Sequence, residues 1–191
     1  MGCFSFHATK NIHCGEGGML AINDPRFIRR AEIVWEKGTN RAQFQRGEIG
    51  RYEWVDVGSS FLPSDLTAAF LWGQVERLRT IQRKRLGIWQ RYRDGLAPLA
   101  SRGCVQLSAL PDYARHNGHM FYLLCRSGRE RDRLIAFLRV VGVQAAPHYR
   151  DLNNSPYFRH QQDAAPLPNC RRFVDCLVRL PVFYGMDGTT V

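Results

Sequence analysis

The chain holds no apolar run approaching the roughly 20 residues that a membrane-spanning helix needs, so no membrane partner is expected. It also has no basic n-region followed by an apolar h-region; no secretory signal is read, and a cytoplasmic location is expected. Met1-Gly2-Cys3 opens like a myristoylation site, but Phe6 stands where that motif requires Ser or Thr. Its six cysteines include no Cys-x-x-Cys pair, which argues against a disulfide framework and for free thiols. His116 and His119 lie three apart without a second ligand pair, so no metal site is expected. Internal repeats and low-complexity tracts are absent. Acidic side chains are scarce: 17 Asp and Glu stand against 27 Lys and Arg, a net charge of +10. That balance favours anionic partners such as phosphates, nucleotides or nucleic acid, and is silent about fold.

The acid shortage is sharpest in Arg77–Arg93, which carries seven basic residues and no acidic one. Such a run suits a nucleic-acid face. A solvated helix face is the more common outcome, and with no known binding motif beside it a nucleic-acid partner is not expected.

What the sequence does contain is 191 residues, 45% of them hydrophobic, enough for one ordinary domain or two small ones. Gly18–Asn23 reads as a short buried strand. Asp24 before Pro25 signals a helix start, and the helix that follows should stop at Gly38. Residues 38–60, rich in glycine, arginine and polar groups, read as a long loop of the kind that usually carries function. Ser64 with Asp65 opens a helical stretch to about Leu99, read as two helices or one with a bend. Beyond Pro98–Pro111 the character changes. His119–Cys125 reads as a strand, Arg129–Gly142 as a helix, Val143–Tyr149 as strand-like, Asn169–Cys176 as a helix and Leu177–Phe183 as a last strand. This alternation marks a compact α+β or α/β module. The expected division is 1–98 and 99–191.

Lys10 sits between "SFHAT" and a glycine cluster, "GEGG". Taken alone, a lysine beside a glycine turn is usually a surface charge. The wider wording is more specific. "SFHATKNIHCGEGGMLAIND" (Ser5–Asp24) resembles the lysine segment of the DegT/DnrJ/EryC1/StrS family of sugar aminotransferases. The resemblance continues through "EKGTNRAQFQRGEIGRYEWVDVGSSFLPSDLTAAFLWGQVERL" (Glu36–Leu78), "NGHMFYLL" (Asn117–Leu124), "PHYRDL" (Pro147–Leu152) and "LVRLPVFY" (Leu177–Tyr184). Within the family it is most similar to the branch that makes dTDP-4-amino-4,6-dideoxygalactose for bacterial surface polysaccharides.

The resemblance implies an α/β fold: the C-terminal portion of a fold-type I enzyme dependent on pyridoxal 5′-phosphate. That portion comprises part of the large domain plus the small α+β domain. It implies that Lys10 anchors the cofactor and moves the proton in transamination, work suited to a lysine amine. Ser5 matches the serine that hydrogen-bonds the cofactor phosphate. Ser60 falls where many members carry an asparagine that reaches the phosphate from the neighbouring subunit, and a homodimer is therefore implied. Lys37, Asn40 and Arg41 fall where the family meets the nucleotide-sugar, and their charge suits a diphosphate. The implied substrates are a dTDP-linked 4-keto-6-deoxy sugar and glutamate as amino donor. A dehydratase variant of the family carries histidine at the anchor position, so Lys10 favours a transaminase.

His148 is a substrate ligand or a satisfied strand histidine; His7 packs near the cofactor or serves structure. Where the branch reads His-Tyr-x-Pro-Leu-His, this chain has His148-Tyr149-Arg150-Asp151-Leu152-Asn153. The resemblance covers only the C-terminal half of a family member. It places outside this chain the acid that pairs with the pyridine nitrogen and the aromatic residue that stacks on the ring. The chain is accordingly read as a truncated product, a gene fragment or part of a split gene, with Gly18–Asn23 exposing an edge. The alternative function is an inactive fragment that dimerises or associates with a full-length homologue.

Overall fold

A computed structural model describes residues 1–158 and 167–187. The chain forms two compact units, Met1–Arg79 and Thr80–Val191.

The first unit begins with an antiparallel hairpin of β1 (Gly2–Ser5) and β2 (Gly18–Ala21), with Ser5 opposite Gly18. Past the strands the pairing continues irregularly: Phe6 N–H donates to the Gly17 carbonyl (2.8 Å) and Ala8 N–H to that of Gly15 (2.7 Å). The strand expected to be buried at Gly18–Asn23 is shorter and lies open. Met19 and Leu20 are 49% and 48% exposed, and among the described residues β2 pairs only with β1. Asp24 caps as expected, its carboxylate accepting the Arg26 N–H at 3.0 Å. A 3₁₀ turn, Pro25–Phe27, leads into α1 (Ile28–Trp35).

This helix ends three residues before Gly38. Lys37 (φ 63°) and Gly38 (φ 80°) both enter the left-handed region and turn the chain away. A Cβ on Gly38 would run into the Asp56 carbonyl, and one on Gly58 into the Gly38 backbone. The two glycines thus let separate stretches of backbone meet. The expected loop 38–60 contains α2 (Arg41–Gln45) and two isolated antiparallel bridges, Glu36 with Ser60 and Thr39 with Trp54. Helix α3 (Asp65–Glu76) starts where Ser64 Oγ accepts the Thr67 N–H at 3.2 Å.

The long helical stretch is two helices, broken at Arg77, with α4 spanning Leu78–Ser101. A three-stranded antiparallel sheet follows, β3 (Gln106–Leu107), β4 (Phe121–Leu124) and β5 (Leu177–Leu180), in the order β3-β4-β5. Helix α5 (Gly128–Val140) is capped by Ser127, and α6 (Pro168–Cys176) has proline in its first turn. The strand expected at Val143–Tyr149 reduces to one bridge, Ala146 with Arg179, because Pro147 has no N–H to continue a ladder. Pro181 likewise ends β5 three residues before the expected Phe183.

The core of this unit gathers Leu123, Cys125, Ala145 and Val178, with Leu96 of α4 and Leu134, Ile135 and Leu138 of α5 packed against it. Trp89 meets Phe121 edge-on at 5.5 Å, and the Tyr92 ring lies 5.1 Å from Phe121. These contacts tie α4 to the sheet, so the compact units divide at Arg79 and Thr80 rather than at the expected 98/99. Within the basic run, Arg85 is buried and donates to the carbonyls of Gly118 (3.1 Å) and His119 (2.6 Å). Burial lowers its pKa, and its donors serve the loop rather than a phosphate.

Candidate active site

The β1–β2 connection carries the lysine. Ser5 closes β1 and its Oγ accepts the His7 N–H at 3.3 Å. The His7 carbonyl in turn accepts the Lys10 N–H at 2.9 Å, so serine and lysine are linked through one residue of backbone. His7 Nδ1 accepts from the Thr9 N–H (3.2 Å) and lies 3.0 Å from Thr9 Oγ1. This leaves the Nε2 proton for the Glu16 carboxylate at 3.4 Å. His7 therefore braces the hairpin across its own turn. Lys10 is half-buried and pairs with no carboxylate among the described residues.

A residue that the sequence reading missed holds this turn from outside. Gln74 of α3 donates from Nε2 to the His13 carbonyl (2.9 Å), and its Oε1 accepts the His13 N–H (3.1 Å). One side-chain amide thus satisfies both main-chain groups of a residue three positions after Lys10. The His13 ring packs on Phe70 with centroids 5.6 Å apart. Its Nδ1 is buried and without a hydrogen-bond partner among the described residues. Nothing local signals the clamp, because the partners are 61 positions apart.

Lys37, Asn40, Arg41 and Ser60 come together in the segment that the two glycines knot. Glu36, 6% exposed, is in contact with three of them, Lys37, Arg41 and Ser60. Lys37 Nζ lies 3.6 Å from Glu36 Oε2, and an Arg41 guanidinium nitrogen 3.8 Å from Oε1. Ser60 bridges Glu36 across the backbone. Asn40 Oδ1 accepts the Glu53 N–H at 2.8 Å, which leaves its amide protons free of that bond. His148 belongs to the second unit. Its ring is 5.1 Å from Tyr149, whose face carries the Arg179 guanidinium at 5.9 Å. Partial desolvation and the Arg179 cation hold its pKa below the ordinary imidazole value. Among the described residues no three metal-ligating side chains gather into a site.

The model of the DegT/DnrJ/EryC1/StrS aminotransferase family matches residues 1–191. The chain belongs to this family. Solved aminotransferases share its fold. TlmJ from Streptoalloteichus hindustanus superposes with a TM-score of 0.82 at 23% identity, over 99% of this chain and 48% of that one. An aminotransferase from Psychrobacter cryohalolentis gives 0.87 at 20% identity, over 99% and 52%. Spr1654 from Streptococcus pneumoniae, in its PLP form, gives 0.80 at 22%, over 98% and 47%. The chain thus spans about half the length of these aminotransferases.

The family cofactor, pyridoxal 5′-phosphate, requires an amine free to condense with its aldehyde and donors for its phosphate. Lys10, without an ion pair among the described residues, meets the first requirement. The Ser5 hydroxyl accepts from His7 and so keeps its own proton for a phosphate oxygen. The donor set on this hairpin fits the group.

Proposed function

We propose that this chain supplies the lysine-bearing part of a pyridoxal 5′-phosphate-dependent nucleotide-sugar aminotransferase. The observation that carries the reading is Lys10: an amine without an ion pair among the described residues, on a braced hairpin, one hydrogen-bonded residue from a serine hydroxyl. When bound, the cofactor supplies the electron sink for the substrate carbon. Lys10 Nζ would hold the cofactor, and the same amine would take up and return a proton at the substrate carbon. Ser5 Oγ donates to the phosphate. Lys37, Asn40 and Arg41 meet the diphosphate of the nucleotide sugar. Ser60 reaches the cofactor phosphate of the neighbouring subunit in a homodimer, and His148 contacts the sugar. The wording of residues 36–78 favours dTDP-4-dehydro-6-deoxy-D-glucose as acceptor and glutamate as donor. The product is dTDP-4-amino-4,6-dideoxy-D-galactose for bacterial surface polysaccharide.

Purified protein incubated with cofactor and reduced with borohydride should carry a pyridoxyl group on Lys10, read by peptide mass spectrometry. Lys10→Ala should carry none. Equal labelling of the variant overturns the assignment.

A second reading is a chain that associates with a full-length homologue without catalysing. It is favoured by apolar side chains left open in the first unit, among them Phe4, Leu66, Phe70 and Trp72. Mixing with an intact family member separates the two: association with inhibition and no labelling of Lys10 supports the second.

A further inference from the structure

We propose that Glu36 is a positioning residue, whose buried carboxylate holds the Lys37 ammonium and the Arg41 guanidinium in place to grip a nucleoside diphosphate. The inference rests on the reading of this segment as the nucleotide-sugar contact, and deepens it.

Glu36 is among the few buried charged side chains of the described residues. A buried carboxylate is costly unless cations compensate it. Here they come from the next residue and from the first residue of α2, each on its own oxygen: Lys37 on Oε2 and Arg41 on Oε1. At 3.6 and 3.8 Å both contacts are longer than a hydrogen bond. The cations are therefore held by charge, and among the described residues their side-chain N–H donors stay uncommitted. The two side chains are 49% and 44% exposed, so those donors open to solvent. Two cations on one acid leave a net positive charge, as capture of a diphosphate requires.

The backbone that carries the carboxylate is held on both sides. Glu36 N–H donates to the Glu32 carbonyl at 3.1 Å. Its own carbonyl accepts both the N–H (3.0 Å) and the hydroxyl (2.8 Å) of buried Thr39. Lys37 is pinned at φ 63° with its N–H on the Ser59 carbonyl (3.1 Å). Arg41 is held from a second side by the Tyr52 ring at 6.0 Å. Without the carboxylate charge, two long cationic side chains would repel each other and regain rotamer freedom, which binding must then remove.

The test is calorimetric titration of the full chain with dTDP, with thermal melting of each variant alongside. Glu36→Gln keeps the shape and removes the charge; it should weaken dTDP binding about tenfold. In a Lys37→Met, Arg41→Gln background the same change should have less than about a twofold effect, since the residues through which it acts are gone. A purely structural glutamate would instead cost the same in both backgrounds. Glu36→Asp, which withdraws the charge by one methylene, should weaken binding about threefold. If Glu36→Gln binds as wild type, or costs equally in both backgrounds, the inference is overturned while the nucleotide-sugar reading stands. Should Glu36→Gln melt below the assay temperature, wild-type affinity in Glu36→Asp overturns it. If the wild type fails to bind dTDP, or the Lys37→Met, Arg41→Gln protein binds as well as wild type, the nucleotide-sugar reading fails and the inference with it.

Discussion

Among the described residues, the buried apolar side chains, from Ile88 to Met186, lie in the second unit, whereas the first unit buries only Glu36, Gly38 and Thr39. The second unit closes a core between a three-stranded sheet and the apolar faces of α4 and α5. The first owes its local shape to hydrogen bonds, left-handed turns and two glycines whose backbones meet. Its apolar side chains, Phe4, Met19, Leu20, Phe70 and Trp72, face outward. The residues expected to do chemistry, Ser5, Lys10, Lys37, Asn40, Arg41 and Ser60, belong to that coreless unit; only His148 belongs to the other. Precise local geometry and hydrophobic stability are thus supplied by different parts of this chain.

The largest test of that contrast is truncation of Phe121, which is 1% exposed. Phe121→Ala should cost about 3–5 kcal/mol in urea unfolding. Phe4→Ala, in the open hairpin, should stay within about 0.5 kcal/mol. Equal costs would break the contrast. A smaller effect is expected from Gly38→Ala, which forces a Cβ into the Asp56 carbonyl at φ 80°. It should cost about 1–3 kcal/mol and speed amide exchange at Val55 and Asp56, both bonded to the Gly38 carbonyl. Leu123 and Val178 amides should keep their protection. Spread of the effect into the second unit would break the contrast.

The smallest effect is a pH dependence confined to the second unit. His116 packs on Trp89 with centroids 4.0 Å apart, and its Nδ1 accepts the Gly118 N–H at 3.2 Å. Burial first, and the Arg93 cation second, lower its pKa. The folded state therefore holds the neutral ring below the pH at which the unfolded chain takes up a proton. That contribution is complete above the unfolded value, about 6.5, and is lost as pH falls through the lower folded one. Melting temperature measured across this range should fall less steeply in His116→Phe than in wild type; parallel curves would remove His116 from the account.

Helix starts were the most legible feature, because the capping side chain stands only two or three positions before the residue whose N–H it accepts: Asp24 and Ser64 cap as expected, while the Ser127 cap was not read from the sequence. Strands were less so. Val143–Tyr149 and Leu177–Phe183 read longer than they are, since one proline in each removes the ladder donor. The openness of β2 is invisible in "GMLAIN", whose apolar run says nothing of what lies across from it. Lys10 and Ser5 emerged from wording shared with a family, not from local spacing, which suits a surface lysine equally well.

By itself the sequence determined the main helices, the caps at Asp24 and Ser64 and the basic charge, because each depends on neighbours along the chain. Only the tertiary structure decided which of these meet. Gln74 reaches His13 across 61 positions, Glu36 is buried between the cations at 37 and 41, and α4 joins the second unit rather than the first. The physical reason is the same in each case: burial and long-range hydrogen bonding are properties of what packs on a residue, and packing is set by the whole chain.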